Sequence, residues 1–391
     1  MSRLMQALVG ISVIAALPAL ARAQCPPLWA QETAAAFNGA IRDFTQWNGG
    51  LAAVGGFTQV NGQPAPGVAV WNGETWTPHG GAGFPGTHRS AVAFNNWLVV
   101  DGMVWIAPFW VPLANQLSFT TINAMAVYNG ELYAAGTYNS NLNSCVWKFV
   151  NWSWVGVGLG NPVEFGPVVN DLQVYNGKLV ACGNFWAPTQ GSTPNIAQWN
   201  GTTWSSLGTP TFPTQPRTLG VAQGELFVSG YIGLNGYVMS YNGTAWRNEF
   251  TTANNEATAF AEYDDAVFVG VGGRFMVRRN GVWTSSPQYF TSPGIPTTYD
   301  FAVHHGTLFI GGSFNTLLGQ PAANLARYTI RTSDYDGDGD FGADADIEAF
   351  FACLGGACCP TCAGPDLNGD GDVGTDADIE SFFRLLGGGC A

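Results

Sequence analysis

"MAVYNGELYAAGTY", residues 125–138, sets two alternating apolar segments on either side of Asn-Gly. Both residues of a two-residue hairpin turn need positive φ, which Asn and Gly adopt at little cost, so the stretch predicts a tight β-hairpin. The phrase returns as "FTQWNGGLAAVGGF" (44–57), "AVAFNNWLVVDG" (91–102), "LQVYNGKLVACGNF" (172–185), "LGVAQGELFVSGYI" (219–232), "FAEYDDAVFVGVGG" (260–273) and "FAVHHGTLFIGGSF" (301–314). The residue before the turn falls at Trp47, Phe94, Tyr128, Tyr175, Ala222, Tyr263 and His304, giving spacings of 47, 34, 47, 47, 41 and 41. Such periods belong to solenoids and propellers.

Most copies continue into a second strand pair, as in "GVAVWNGETWTPHG" (67–80), "NIAQWNGTTWSSLG" (195–208) and "YVMSYNGTAWRNEF" (237–250). Four strands per repeat make a propeller blade, and neither helical periodicity nor polar terminal caps interrupt the pattern. The expected fold is mainly β: a seven-bladed β-propeller over residues 24–330, with six or eight blades as alternatives because the second copy is degenerate. The last copy ends at "NLARYTI" (324–330) without a tryptophan strand, while "CPPLWAQE" (25–32) is unassigned. The N-terminal stretch is therefore expected to pair near Arg327 and complete the last blade. With "LFIGG" (308–312) and "LAAVGG" (51–56) followed by a tryptophan some way downstream, the repeats resemble kelch-type propellers, a likeness that implies architecture and not chemistry.

Residues 1–23 combine a basic start at Arg3, an apolar run and a small-x-small site at Ala21-Arg22-Ala23, the pattern of a secretory signal peptide. No later stretch is long and apolar enough to cross a membrane, so a secreted, extracellular or outer-surface bacterial protein is expected. The eight cysteines are even in number, as full disulfide pairing requires. Five of them (Cys353, Cys358, Cys359, Cys362 and Cys390) lie in the tail, so one tail cysteine stays free or pairs with Cys25, Cys145 or Cys182. The formal charge is −13; residues 334–391 hold 11 Asp, 2 Glu and 1 Arg, which makes −12 and leaves −1 for everything before them. The ring thus offers no basic field for nucleic acid or anionic lipid, and its partners are expected to be neutral.

Within the ring, Trp76, Trp154, Trp204, Trp246 and Trp283 occupy equivalent repeat positions and are expected to pack between blades. Trp105, Phe109 and Trp110 in the irregular second copy, with Trp186, are the candidate ligand residues, for stacking on a sugar or peptide. Asp171, Glu225, Asp264, Asp265 and Asp300 are expected as solvated turn residues, and His304 and His305 as an exposed turn. No catalytic residue stands out, since nothing in the acidic spacing selects the carboxylate pair that glycosidic hydrolysis needs.

The tail repeats itself: "DYDGDGDFGADADIEAFF" (334–351) and "DLNGDGDVGTDADIESFF" (366–383). Oxygen ligands at alternate positions before a glycine suit a hard, flexible cation site, so two calcium ions are expected. The candidate ligands are Asp334, Asp336, Asp338, Asp340, Asp344 and Asp346 in the first copy and Asp366, Asn368, Asp370, Asp372, Asp376 and Asp378 in the second. Asp344 and Asp376 stand open as ligands or helix caps. Ile347, Phe350, Phe351 and Leu354, then Ile379, Phe382, Phe383 and Leu386, fall at helical spacing, predicting two short amphipathic helices packed through their phenyl faces. The paired pattern, with "LGGGC" at the end, resembles the GC-type dockerin-like anchors of secreted bacterial proteins. The resemblance implies a calcium-dependent anchor module over 331–391, docking on a cohesin-like or other surface receptor. A tethered propeller binding a neutral glycan or protein is the expected function. The alternatives are a secreted carbohydrate-active hydrolase carried by its dockerin, and a structural surface protein.

Overall fold

The computed structural model describes residues 28–31, 37–80, 84, 86–113, 119–138, 145–158, 168–186, 194–208, 215–287, 289–329, 335, 344–357, 367, 372 and 374–386. The chain forms two compact units, one over Pro27–Ile330 and one on the C-terminal residues from Arg331.

The larger unit is almost wholly β-strand, and its theme is the four-stranded antiparallel meander. Each meander opens with an inner strand: Ile41–Trp47, Ala91–Phe94, Phe119–Tyr128, Val168–Tyr175, Pro216–Ala222, Ala257–Tyr263 and Thr297–His304. The hairpin turns form as the sequence demands, with Asn48 and Gly49, Asn129 and Gly130, and Asn176 and Gly177 all at positive φ. Each inner strand packs against the next, and Thr297–His304 packs back onto Ile41–Trp47, so the meanders close a ring. The third and fourth share one continuous sheet through a single Thr137–Val168 bridge. In the last meander the outermost place is taken by Leu28–Gln31, which pairs antiparallel with Leu325–Thr329, Ala30 opposite Arg327. The start of the ring thus completes its final sheet.

Two sets of contacts tie neighbouring meanders. At the periphery, the outer-strand tryptophans donate their indole N–H backward: Trp154 to the Leu113 carbonyl at 2.7 Å, Trp204 to Val157 at 2.8 Å and Trp246 to Leu207 at 2.7 Å. Trp283 does the same to the Glu249 carboxylate at 2.7 Å. Trp76 has no acceptor for its indole; it packs edge-on against Phe37 and Phe309 instead, joining the first meander to the last. The second set lies around the axis and belongs to the site below.

In the smaller unit, helices α1 (Asp344–Leu354) and α2 (Asp376–Leu386) bury Phe350 and Phe382. The two rings stack at 4.0 Å and 13°, and Tyr335 closes over both edge-on. No described helix is long and apolar enough to cross a membrane.

Candidate functional site at the ring axis

Six inner strands carry the same irregularity. In the first, Ile41 pairs with Gly55 and Asp43 with Val54, leaving Arg42 as an extra residue. Asn123, Asn170, Arg217, Thr258 and Tyr299 are skipped in the same way. Such a bulge re-aims the extra side chain, and here each faces the axis. The recurrent glycine of the repeat makes room for it. A Cβ on Gly55 would lie 2.0 Å from the Ala40 carbonyl oxygen, and one on Gly136 2.0 Å from that of Thr121. In the second meander Arg89 reaches the same level by another route. The Asp101 carboxylate accepts the Arg89 amide at 3.2 Å and the Ser90 amide at 3.1 Å, and its other neighbour is buried His88 at 3.1 Å.

Together these residues frame an open cavity of about 300 Å³, continuous in its lining with a channel of about 430 Å³. Their roles separate by hydrogen bonding. Asn123 donates to the Val169 carbonyl at 2.9 Å, Asn170 to Pro216 at 2.9 Å and the Thr258 hydroxyl to Thr298, each across to the next meander. One residue further along, a second layer works in the opposite sense, accepting amides of the next strand. Asp43 takes Ala91 N–H at 2.7 Å, Ser90 takes Met125 at 2.9 Å, Asp171 takes Leu219 at 2.7 Å and Asp300 takes Phe44 at 2.8 Å. These are staples. Among the described residues the side chains of Arg42, Arg89, Arg217 and Tyr299 make no hydrogen bond to a neighbouring strand, and they face the opening.

The stapling carboxylates sit away from bulk water, which disfavours their charged form. Burial pushes Asp171 up to about 7 and Asp300 up to about 6. Asp43 is held well above the usual carboxylate range by burial first and by the charge of Asp300 beside it. At the rim, burial raises Glu256 to about 7 against the opposing pull of Arg217, whose Nε lies 3.9 Å away.

Several expectations are corrected here. Asp171 and Asp300 are channel residues and not solvated turn residues; Asp264 and Asp265 do sit in a turn. His304 is buried, hydrogen-bonded to Gln46 at 2.7 Å and lowered to about 4 by desolvation and then by His305, so only His305 occupies the turn itself. Among the candidate ligand residues, Trp105 and Trp110 pack on each other at 5.5 Å and on His79, and Trp110 is buried. Phe109 is exposed on the outermost strand of its meander, away from the inner strand that meets the axis. Trp186 ends a strand, and its side chain lies outside the described residues. Cys145 and Cys182 are buried thiols outside any disulfide, so neither pairs with a tail cysteine.

Of the candidate calcium ligands, Asp334, Asp336, Asp338, Asp340, Asp366, Asn368 and Asp370 lie outside the described residues. Among the described ones no cluster of three metal-binding side chains forms. Asp346 and Asp378 are buried and turn back on their own loops: Asp346 accepts the Tyr335 amide at 2.5 Å and Asp378 the Leu367 amide at 2.8 Å. The other Asp378 oxygen accepts the Thr375 amide at 2.9 Å and hydroxyl at 3.0 Å, while the Thr375 carbonyl takes the Asp378 and Ile379 amides. The Asp378 carboxylate thus reaches back to the amide of Thr375, the returning half of a capping box, with Thr375 as the cap. Asp376 is therefore not the cap; it stands exposed in the first turn, as Asp344 does in α1, where an anion suits the helix dipole.

The axial residues went unnoticed in the sequence because they are spread over more than 250 positions. The signal was nonetheless present: aligned on the hairpin turn, the fifth residue before the pre-turn position reads Arg, Arg, Asn, Asn, Arg, Thr, Tyr, polar throughout in otherwise apolar strands.

No family profile and no curated protein sequence matches the chain. Its likeness is to solved structures. The WD40 β-propeller domain of Doa1 superposes with a TM-score of 0.50 at 13% identity, over 78% of this chain and 97% of that one. The extracellular domain of the putative one-component system BT4673 from B. thetaiotaomicron gives 0.54 at 10% identity, over 82% of this chain and 42% of that one. These similarities show a β-propeller body.

Proposed function

We propose that the chain is a secreted recognition propeller of seven blades, which binds an extracellular glycan or protein at its axial mouth and is tethered by its C-terminal module. The observation that carries this reading is the convergence of Arg42, Arg89, Arg217 and Tyr299 on one opening while their neighbours serve as staples. Polar side chains that converge on a mouth and leave donors facing it are what a binding site requires. The leader-like residues 1–23 support export, as does likeness to a structure described as an extracellular domain.

For the tail, the alternating oxygen donors of both loops suit calcium, and the two backbone-anchored carboxylates Asp346 and Asp378 hold each helix start against the residue that follows Asp334 or Asp366. Calcium would supply the positive charge that lets such carboxylates gather. The module would then present its helix pair to a cohesin-like or other surface receptor.

Two variants test the reading. Thr218→Trp should fill the mouth and abolish capture of the ligand found on a glycan and protein panel. Deleting residues 334–391 should release the protein from its surface and leave that capture intact; retention at the surface after deletion sinks the tethering role. A second reading, glycoside hydrolysis, is favoured by the three carboxyls Asp43, Asp171 and Asp300 that line one channel, each held above the usual carboxylate range by burial. Against it, each of these carboxylates is already committed to a backbone amide. Sugar release abolished by Asp171→Asn or Asp300→Asn would select the hydrolase.

A further inference from the structure

Resting on the mouth as a binding site and going one step further, we infer that its ligand is anionic: a uronate unit of an acidic glycan, whose carboxylate is clamped by Arg42 and Arg89. The near-neutral balance of the ring hides a local concentration of cations, because three of its few arginines come from different repeats and meet at one level. They are not equivalent. Arg217 already has a carboxylate neighbour in Glu256 and lies over the Tyr231 ring at 5.4 Å. Arg42 and Arg89, on adjacent meanders, have no carboxylate partner among the described residues. The Arg42 guanidinium rests over the Tyr299 ring at 4.9 Å, which orients it, and its buried Nε–H has no acceptor.

A buried donor left unpaired is costly, so an acceptor arriving from solution is favoured. The planar guanidinium fork matches a carboxylate with two parallel hydrogen bonds, which a neutral hydroxyl cannot supply. Beneath the two arginines, Asp43, Asp171 and Asp300 accept strand amides and offer an anion no donor, so the arginines at the rim are where it is held. Apart from Glu256 beside Arg217, the remaining lining is hydroxyl and amide: Thr218, Thr258, Tyr299, Asn123 and Asn170. That complements sugar hydroxyls and provides no apolar pocket for a peptide side chain. A cavity of about 300 Å³ is at the small end of ligand sites, the scale of one sugar ring.

Calorimetry on the full chain would use methyl glucuronide, methyl glucoside and N-acetylglutamate as probes. The glucuronide should bind at least about tenfold more tightly than either of the others. Arg42→Gln and Arg89→Gln should each weaken it by roughly tenfold or more, as loss of a charge-assisted hydrogen bond does. Arg217→Gln should weaken it less, because Glu256 already engages that side chain. Thermal midpoints of Arg42→Gln and Arg89→Gln should stay at the wild-type value, since neither arginine staples one strand to another. Glucoside binding that survives Arg42→Gln and Arg89→Gln but is lost in Thr218→Trp overturns the anionic ligand and leaves the axial site standing. N-acetylglutamate binding as tightly as glucuronide overturns the sugar assignment. Glucuronide binding untouched by Thr218→Trp, or no binding of any probe, overturns the inference together with the mouth.

Discussion

The ring and the C-terminal unit are both made of repeats, but their polar side chains point in opposite directions along the chain. In the ring, a carboxylate or amide of one meander serves the next: Asp300 holds Phe44, Asp43 holds Ala91, and Asp171 holds Leu219. In the tail, Asp346 and Asp378 accept amides of their own copies, and stacked phenyl rings join the two helices. Meanders that satisfy one another's backbone groups stand or fall together. Loop-helix copies that satisfy their own can lose a contact locally.

The sharpest way to break that contrast is at the seam of the ring. Trp76 is buried against Phe37, Phe44 and Phe309, so Trp76→Ala should cost about 3–5 kcal/mol and lower the single unfolding transition of the whole ring in a thermal melt. A melt in which one meander unfolds separately while the rest keeps its midpoint would refute mutual dependence. A smaller effect is expected from the staples through pH. Asp171 binds its proton more tightly when folded, up to about 7, than in the unfolded chain, at about 4. Folding therefore takes up a proton between those values, and this residue's contribution to stability falls as pH rises from about 4 through about 7. Asp171→Asn should remove that fall, flattening denaturant midpoints between pH 4 and 8 by about 1–3 kcal/mol relative to wild type; an unchanged slope would mean the carboxylate is solvated. The smallest effect belongs to the tail. Thr375→Ala gives the second copy the Ala-Asp-Ala-Asp of the first and should cost about 1 kcal/mol, read as a shift confined to the helical signal of the tail. A shift in the ring's transition would contradict local closure.

The hairpins, the ring-closing N-terminal strand and the stacked phenylalanines were legible because each rests on a local rule. Asn-Gly fixes a turn, a missing strand leaves a vacancy, and Phe at helical spacing marks a face. The axial site was not, because a bulge changes a pairing count and not a residue type. Glycines such as Gly55 and Gly136, read only as strand punctuation, in fact mark where the opposing backbone crowds in. Aspartates close to a predicted turn read as solvated because their distance from the axis is set by the whole ring. The near-neutral charge of the ring likewise hides a cluster, since Arg42, Arg89 and Arg217 become neighbours only when the circle closes.

The pairing of Leu28–Gln31 with Leu325–Thr329 places the first and last strands of the ring side by side. During synthesis the first strand must wait for almost the entire ring before its partner exists, so circularisation is the final step and carries the longest loop closure in the molecule. The order is a matter of where the chain was cut and not of the architecture. A circular permutant that joins residue 329 to residue 28 through a short linker and opens at the exposed turn around Gly233 should assemble the same circle, with that last meander forming early and a different seam closing last.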